Sequence, residues 1–468
     1  MFGYKAQSKN QAGYLLILVL VFGSIFLVIV SSFIGWVVTQ NQLVNFRHEQ
    51  QRATEIAEAG LNFYRWYLAH YPDDLTTSTT SVYVDPEDGA IGEYSLDITR
   101  NSFCGSTASI EVESTGFTYV DSSAVSTLSA RYARPTVAEY SFITDGGVWY
   151  GDDRVITGPI HSNNGIRMDG SHNSFVGSGQ ADWTCNSSYG CSPDQTVDGV
   201  YTTTANSTPG LFSFPISPVD FTGITLDLSE MQDRAENDGG IYYGPTSEWG
   251  YQVIFNGDDT VTVREVTGTY NYWAYSSYEG WHTEERNVIT SSSFVATHAI
   301  DPNCPLLYFE DKVWLEGAIS GKVTLAAADL SSSAETNIVI SDSVTYNDTD
   351  SGLLAIAEDD VDVGLEVPDD MTANGIYVAQ NGRFGRNHYI TGYLPWWLDA
   401  YVIRNSLTRF GSVVSNGRVG TRWTSGGTTV SGFELRTTSF DQDQVDNPPP
   451  LTPQTSDVFI FDNWRQDG

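Results

Sequence analysis

Basic residues are scarce in this chain. It carries 23 Lys and Arg against 58 Asp and Glu over 468 residues, a formal net charge of −35. A body this acidic repels nucleic-acid phosphates and anionic lipid, so a generally basic DNA-binding surface is excluded and DNA is not an expected partner. Arg383 with Arg386, Arg404 with Arg409, and Arg418 with Arg422 are close in sequence and read as scattered solubilising or structural arginines. Cysteine is also sparse. Four in a chain this long do not make a disulfide-dependent scaffold. Cys185 and Cys191 enclose a five-residue loop that a surface disulfide tolerates, leaving Cys104 and Cys304, which could pair across domains. A zinc site is the alternative, although no His lies near Cys185 and Cys191 in sequence. In an oxidising space disulfides are the default. Motifs for a Ser or Cys nucleophile are lacking around His161, which sits beside Asn163 and Asn164 and reads as a satisfied turn histidine.

One stretch lacks charge altogether. From Tyr14 to Val38 there is no Asp, Glu, Lys or Arg, and only Gly23, Ser24, Ser31, Ser32 and Gly35 break the run of Leu, Ile, Val and Phe. At a rise of about 1.5 Å per residue this helix covers the roughly 30 Å hydrocarbon core of a bilayer. Lipid offers no partner for free backbone polar groups, so the span must be helical. Tyr14 and Trp36 suit the two headgroup levels. Lys5 and Lys9 precede it with no acid before Glu49, which predicts a cytoplasmic N-terminus and a single pass. All 58 acids follow the helix against 21 bases, about −37 for the remainder. That acidic, Thr/Ser/Gly/Tyr-rich composition suits an exported, extracellular or fibre-associated body.

The helical pattern continues past the bilayer to Tyr71. Ile56, Gly60, Phe63 and Tyr67 recur at helical spacing and predict a packing stripe, and Pro72 with Asp73 and Asp74 predicts the stop. Gly92–Arg100, Thr107–Thr118 and Ala124–Ala133 then predict a small antiparallel sheet beside the helix. Beyond Arg134-Pro135 the single helical candidate is Ser229–Glu236. Short apolar triplets recur instead: Val323-Thr324-Leu325, Ile338-Val339-Ile340, Leu354-Ala355-Ile356, Ile376-Tyr377-Val378 and Val413-Val414, the first three 15 and 16 residues apart. With few hairpin dipeptides over 318–420, they predict a parallel β-solenoid over a β-sandwich. Tyr251–Phe255 and Thr260–Val266 predict a hairpin inserted among the coils, and Asp446-Asn447-Pro448-Pro449-Pro450 predicts a surface polyproline II tail. The expected class is mainly β, with a leader-like segment 1–13, a helix 14–71, a small β domain 72–135, and a solenoid-like domain 136–468 carrying an insertion at about 205–305.

Chemistry is thin along the chain. The pairs Asp152-Asp153, Asp258-Asp259, Asp359-Asp360 and Asp369-Asp370 do not by themselves make dyads, because neighbours on a strand face opposite ways. No catalytic residue and no enzyme is expected; a membrane-anchored, polysaccharide-active β-helix is the alternative. Calcium is the one cofactor suggested. Asn347, Asp348 and Asp350 set oxygens at intervals before Gly352, and Asp85-Pro86-Glu87-Asp88-Gly89 is similar, but neither completes a calcium loop. The densest binding feature is aromatic: Tyr270, Tyr272, Trp273, Tyr275, Tyr278 and Trp281, with Trp396 and Trp397 as a second patch. Such rings stack on sugars or an apolar partner when exposed, and pack a hairpin when buried.

Two segments resemble known families. Gln11-Ala12-Gly13-Tyr14, the apolar helix and Ala57-Glu58-Ala59-Gly60 are similar to type IV pilins and minor pilins. The resemblance implies cleavage after Gly13, leaving Tyr14 as the new N-terminus, and assembly with other pilin-like subunits. Leu18 stands at the fifth residue after the cut, where pilins usually carry Glu; tip subunits also lack that acid, which implies a tip or accessory position in adhesion or assembly. Glu113-Ser114-Thr115-Gly116 is similar to the β-region of minor pilins. Residues 136–468, through Gly158-Pro159-Ile160-His161-Ser162-Asn163, Trp314–Leu325, Gly375–Gly382 and Pro448-Pro449-Pro450, resemble uncharacterised bacterial surface domains of β-solenoid type that accompany such N-termini. One solenoid-bearing minor pilin is associated with DNA uptake, a role the acidic charge here argues against. A glycan or host-surface ligand is the implied partner, and a plain single-span surface protein is the remaining alternative.

Overall fold

The computed structural model describes residues 11–71, 74, 79–221, 223–332, 336–456 and 458–467. The segment 1–10, with Lys5 and Lys9, and the helix stop at Pro72 and Asp73 lie outside the described residues. The chain is mainly β with a long N-terminal helix, and it divides into two units. One comprises 1–99, 111–131 and 461–468; the other comprises 100–110 and 132–460.

In the first unit a single helix runs from Gln11 to His70. Its apolar part is exposed on all sides, and by length and composition it suffices to cross a membrane. The later part buries Ala53, Ile56, Ala57, Leu61, Tyr64 and Leu68. This stripe corrects the expected one. Phe63 is exposed and Tyr67 half-buried, because after Gly60 the buried line moves to Leu61, Tyr64 and Leu68. The helix faces an antiparallel sheet of Thr80–Asp85, Gly89–Phe103, Ser106–Thr118 and Val125–Ala133, with Ile460–Asp467 added at the edge. Two glycines let helix and sheet approach. A Cβ on Gly116 would lie 2.6 Å from the backbone nitrogen of Ala57 and against the carbonyl of Ala53. One on Gly60 would meet Ser114 and, at 2.9 Å, the Tyr94 ring. Small residues in Ala57-Glu58-Ala59-Gly60 therefore have a packing cause.

The second unit is dominated by parallel ladders. Ten strands lie side by side in the order Phe212–Ser213, Val176–Ser178, Ile160–Ser162, Phe142–Thr144, Ile403–Ser415, Gly375–Ala379, Gly352–Ala357, Lys322–Ala327, Leu306–Phe309 and Ile241–Tyr243, every neighbour parallel. Spatial order departs from chain order where Phe142–Thr144 meets Ile403–Ser415. The helix Gly223–Asn237, longer than the Ser229–Glu236 expected, packs Leu228, Met231 and Ala235 into a cluster with Leu306, Tyr308 and Leu354. A second ladder stacks Tyr251–Asn256, Val313–Ile319, Ile338–Tyr346, Val361–Val363 and Phe384–Gly385, also in parallel. Leu325 and Ala355 of the first ladder share one buried core with Leu315, Ile340 and Val363 of the second. The middle strands of the first ladder, Lys322–Ala327, Gly352–Ala357 and Gly375–Ala379, are buried on both faces, which is why they read as nearly unbroken apolar runs.

Three expectations change here. The triplets spaced 15 and 16 residues apart are not successive rungs: Val323–Leu325 pairs with residues 353–355, while Ile338–Ile340 belongs to the other ladder. Tyr251–Phe255 pairs antiparallel with Val261–Glu265 but also in parallel with Val313–Gly317, so it is a ladder strand as well as a hairpin arm. The tail is not a surface polyproline segment. Asp446 ends a short helix, Gln442–Asp446, and Pro449 and Pro450 are buried, with Thr324 Oγ1 donating to the Pro450 carbonyl at 2.5 Å.

Candidate functional site

Two neighbouring cavities concentrate the polar and aromatic side chains of the second unit. Both are built around an antiparallel hairpin, Thr260–Ser276 with Gly280–Ala299, which pairs Tyr272 with Glu284, Trp273 with Thr283, Ala274 with His282 and Tyr275 with Trp281. Strand alternation divides the aromatic run. Tyr272, Ala274 and Ser276 face inward and are buried, whereas Trp273 is 49% exposed. The run is thus part core and part surface.

The first cavity, about 570 Å³, is polar. Ser276, Tyr278, Glu279, His282 and Glu284 of the hairpin form one side, and Lys312, Asp359, Asp360, Asp362, Arg383 and Asn387 form the other. Glu284 is buried and held by three donors: Asn287 Nδ2 at 2.7 Å, Asn387 Nδ2 at 3.1 Å and the Tyr389 hydroxyl at 3.2 Å. Arg383 pairs with Asp362 at 3.5 Å and also donates to Asn387 Oδ1. Burial pushes the Asp362 carboxyl up to about 8, the Asp360 carboxylate adds to this, and Arg383 opposes it. Burial pulls Arg383 down, but Asp362 and Asp360 outweigh it and hold the guanidinium charged. Asp360 accepts from the Arg383 backbone N–H at 2.6 Å, and Asp359 from Thr336 at 3.1 Å. These two acids thus cap neighbouring backbone. The cavity offers a fixed set of hydrogen-bonding groups around a charged guanidinium and a buried carboxyl that burial keeps protonated near neutrality.

The second cavity, about 520 Å³, is aromatic. Tyr270, Asn271, Tyr272 and Trp273 of one arm and Thr283 of the other face Tyr393, Leu394, Pro395 and Trp397. Thr283 lines both cavities. Leu394 and Leu398 are buried with Tyr272, Ala274 and Tyr389, while Trp396 is 80% and Trp397 51% exposed. Trp397 stands edge-on to Tyr270 at 6.0 Å and to Trp396 at 5.9 Å. Arg386, fully buried, anchors this loop through the carbonyls of Gly364, Leu365 (3.1 Å) and Tyr401 (2.6 Å).

The remaining residues singled out from sequence lie elsewhere. Tyr275 and Trp281 form an aromatic cluster with His388 and Trp423, with ring centroids 5.4–5.9 Å apart. Asp348 closes its own turn, accepting from the Asp350 N–H at 3.1 Å and Ser351 Oγ at 2.7 Å; Asn347 lies beside it. Asp85 does likewise with Glu87 and Asp88. Among the described residues no group of three or more His, Cys, Asp or Glu side chains is arranged to hold a metal ion. Cys104 is bonded to Cys304, both within the second unit, and Cys185 to Cys191, whose sulfurs flank the Tyr201 hydroxyl. His161 lies on a strand, not in a turn, with Nε2 2.8 Å from Asn163 Oδ1. Thr283, Glu284, Asp362 and Tyr393 escaped sequence reading. Val361-Asp362-Val363, an acid between β-branched residues, was the one available signal.

No protein-family model and no curated protein matches the sequence. Among solved structures, the chain is similar to the competence-associated pilin ComZ from Thermus thermophilus, with 12% identity over 90% of this chain and 97% of that one, at a TM-score of 0.28.

Proposed function

We propose that this chain is a membrane-anchored, surface-displayed, minor pilin-like protein, a tip or accessory subunit of a type IV pilus or related fibre that acts in adhesion or assembly. The observation that carries the reading is the unbroken helix Gln11–His70, bare and apolar at first and then seated on an antiparallel sheet. A plain anchor has no need for a helix that leaves the bilayer and becomes the core of a folded unit. In this reading a peptidase cuts after Gly13, Tyr14–Val38 holds the chain in the membrane, and the acidic body lies outside. Once in a fibre, the same apolar surface packs against other pilin-like subunits, which removes it from water. Leu18 in place of an acid supports a tip or accessory position. Paired parallel ladders around a shared core support a β-solenoid body. The role is binding rather than catalysis, with a glycan or surface ligand as partner, and the net charge speaks against DNA.

Immunogold labelling of the body on intact cells tests this. Label at fibre ends or fibre bases supports the reading; label spread evenly over the envelope, with no co-purifying pilin subunit, supports a plain single-span surface protein and overturns it.

A further inference from the structure

Beside Leu394 and Pro395, the aromatic cavity brings together two kinds of group. Trp273, Trp397, Tyr393 and Tyr270 present rings, and Asn271 and Thr283 present uncharged donors and acceptors. Among the described residues that line it none is charged, although the chain carries 58 acids. Its rings are held in place. Leu394 and Leu398 anchor the loop in the core on either side of Trp396 and Trp397, and the Gly392 N–H bonds to Asp399 Oδ1 at 2.9 Å across it. Trp273 projects from a paired strand opposite Thr283. Indole surfaces fixed outside the core lose the usual gain of burial, about 25 cal/mol per Å². Their placement beside hydroxyl and amide groups, with Leu394 and Pro395 as the aliphatic part of the lining, suits a ligand that is apolar on its faces and hydroxylated at its edges.

We infer that this cavity is a saccharide subsite for neutral pyranose rings. The C–H face of one ring stacks on Trp273 or Trp397, and equatorial hydroxyls bond to Asn271 and Thr283. Acidic sugars are disfavoured twice, because the lining supplies no cation and the chain's field repels them. Amino sugars would be drawn instead to the carboxylates of the polar cavity. The inference names the ligand class for the adhesion role proposed above, but it depends only on the second unit.

The test uses the full chain in mild detergent, titrated calorimetrically with cello-, malto- and galacto-oligosaccharides, chitosan oligomers and oligogalacturonate. A neutral oligosaccharide should bind, and Trp273→Ala and Asn271→Ala should each weaken it about tenfold or more, whereas Trp464→Ala, an exposed indole of the other unit, should leave it unchanged. Trp397→Phe keeps a ring and should retain part of the affinity that Trp397→Ala loses, which separates lost stacking from a disturbed loop. Binding of no neutral sugar, affinity indifferent to both Trp273→Ala and Asn271→Ala, or preference for galacturonate or chitosan oligomers would overturn the inference. An unprocessed chain that binds sugar sinks the pilin reading alone; a processed chain that binds none sinks the saccharide site alone.

Discussion

Replacing Gly116 by Ala should unseat the helix from its sheet. The added methyl would lie 2.6 Å from the Ala57 nitrogen and closer still to the Ala53 carbonyl oxygen, and ordinary contact begins near 3.4 Å, so the surfaces must part by about 1 Å. The obstacle is helix backbone, which cannot rotate away as a side chain would. A gap of this size forfeits between a quarter and a half of the dispersion attraction for each pair of atoms it separates. Ile56, Leu61, Tyr64 and Leu68 are all buried at this seam. If each is worth roughly 1.5–3 kcal/mol and part of that is lost, the total cost is about 2–4 kcal/mol. Hydrogen exchange of the full chain in detergent, read by mass over residues 50–70, measures it directly. Protection should fall by roughly thirty- to several-hundred-fold, since about 1.4 kcal/mol is a factor of ten. Gly35→Ala is the control, because its Cβ would meet nothing within 4 Å and helix propensity alone makes it neutral or stabilising. Unchanged protection in Gly116→Ala would refute the close approach and with it the role given to the small residues of the seam.

Other consequences are equally specific. Arg386→Met removes the donor to three carbonyls, two of them fully buried, and should destabilise by about 3 kcal/mol, seen as a lower urea midpoint, with proteolysis entering first near Trp396. Cys104→Ser with Cys304→Ser opens a loop of separation 200 and should cost roughly 5 kcal/mol, against roughly 2 kcal/mol for Cys185→Ser with Cys191→Ser at separation 6. Comparing the denaturant midpoints of the two double variants checks this order. Asp362 has a folded pKa raised to about 8, so between the unfolded value near 4 and pH 8 the folded chain holds a proton that the unfolded chain has lost. Stability should therefore fall as pH rises through that window. Asp362→Asn should flatten the fall, measured as Tm between pH 5 and 9; an unaltered slope would show that Asp362 is ionised in the folded chain.

The apolar helix was legible because a membrane demands length and composition that few other structures share. Its packing stripe was less so: Ile56 and Gly60 were found, but Phe63 and Tyr67 satisfy the same periodicity as Leu61 and Tyr64, and only the sheet decides between them. The apolar triplets were legible as strands, since ladders buried on both faces select unbroken β-branched and aliphatic runs. Their spacing misled because the first three triplets alternate between the two ladders, whereas the later ones stay in the first. At the candidate site, ring density pointed to the right hairpin, but pairing decides which rings face out. Tyr272 opposite Glu284 is core, and Trp273 opposite Thr283 is surface, one residue apart. The polar cavity was not legible as a site: Tyr278, Asp359, Asp360 and Arg383 stood out singly, but Glu284, Asp362 and Arg383 come from separate segments of the chain that only the fold brings together.

How the chain begins in the cell separates a pilin-like subunit from a plain anchored protein. Mass analysis of the N-terminal peptide from the membrane fraction should give a chain starting at Tyr14, the product of cleavage after Gly13. A chain that retains Met1 and the intact segment through Gly13, in cells that process their other pilins, would contradict it.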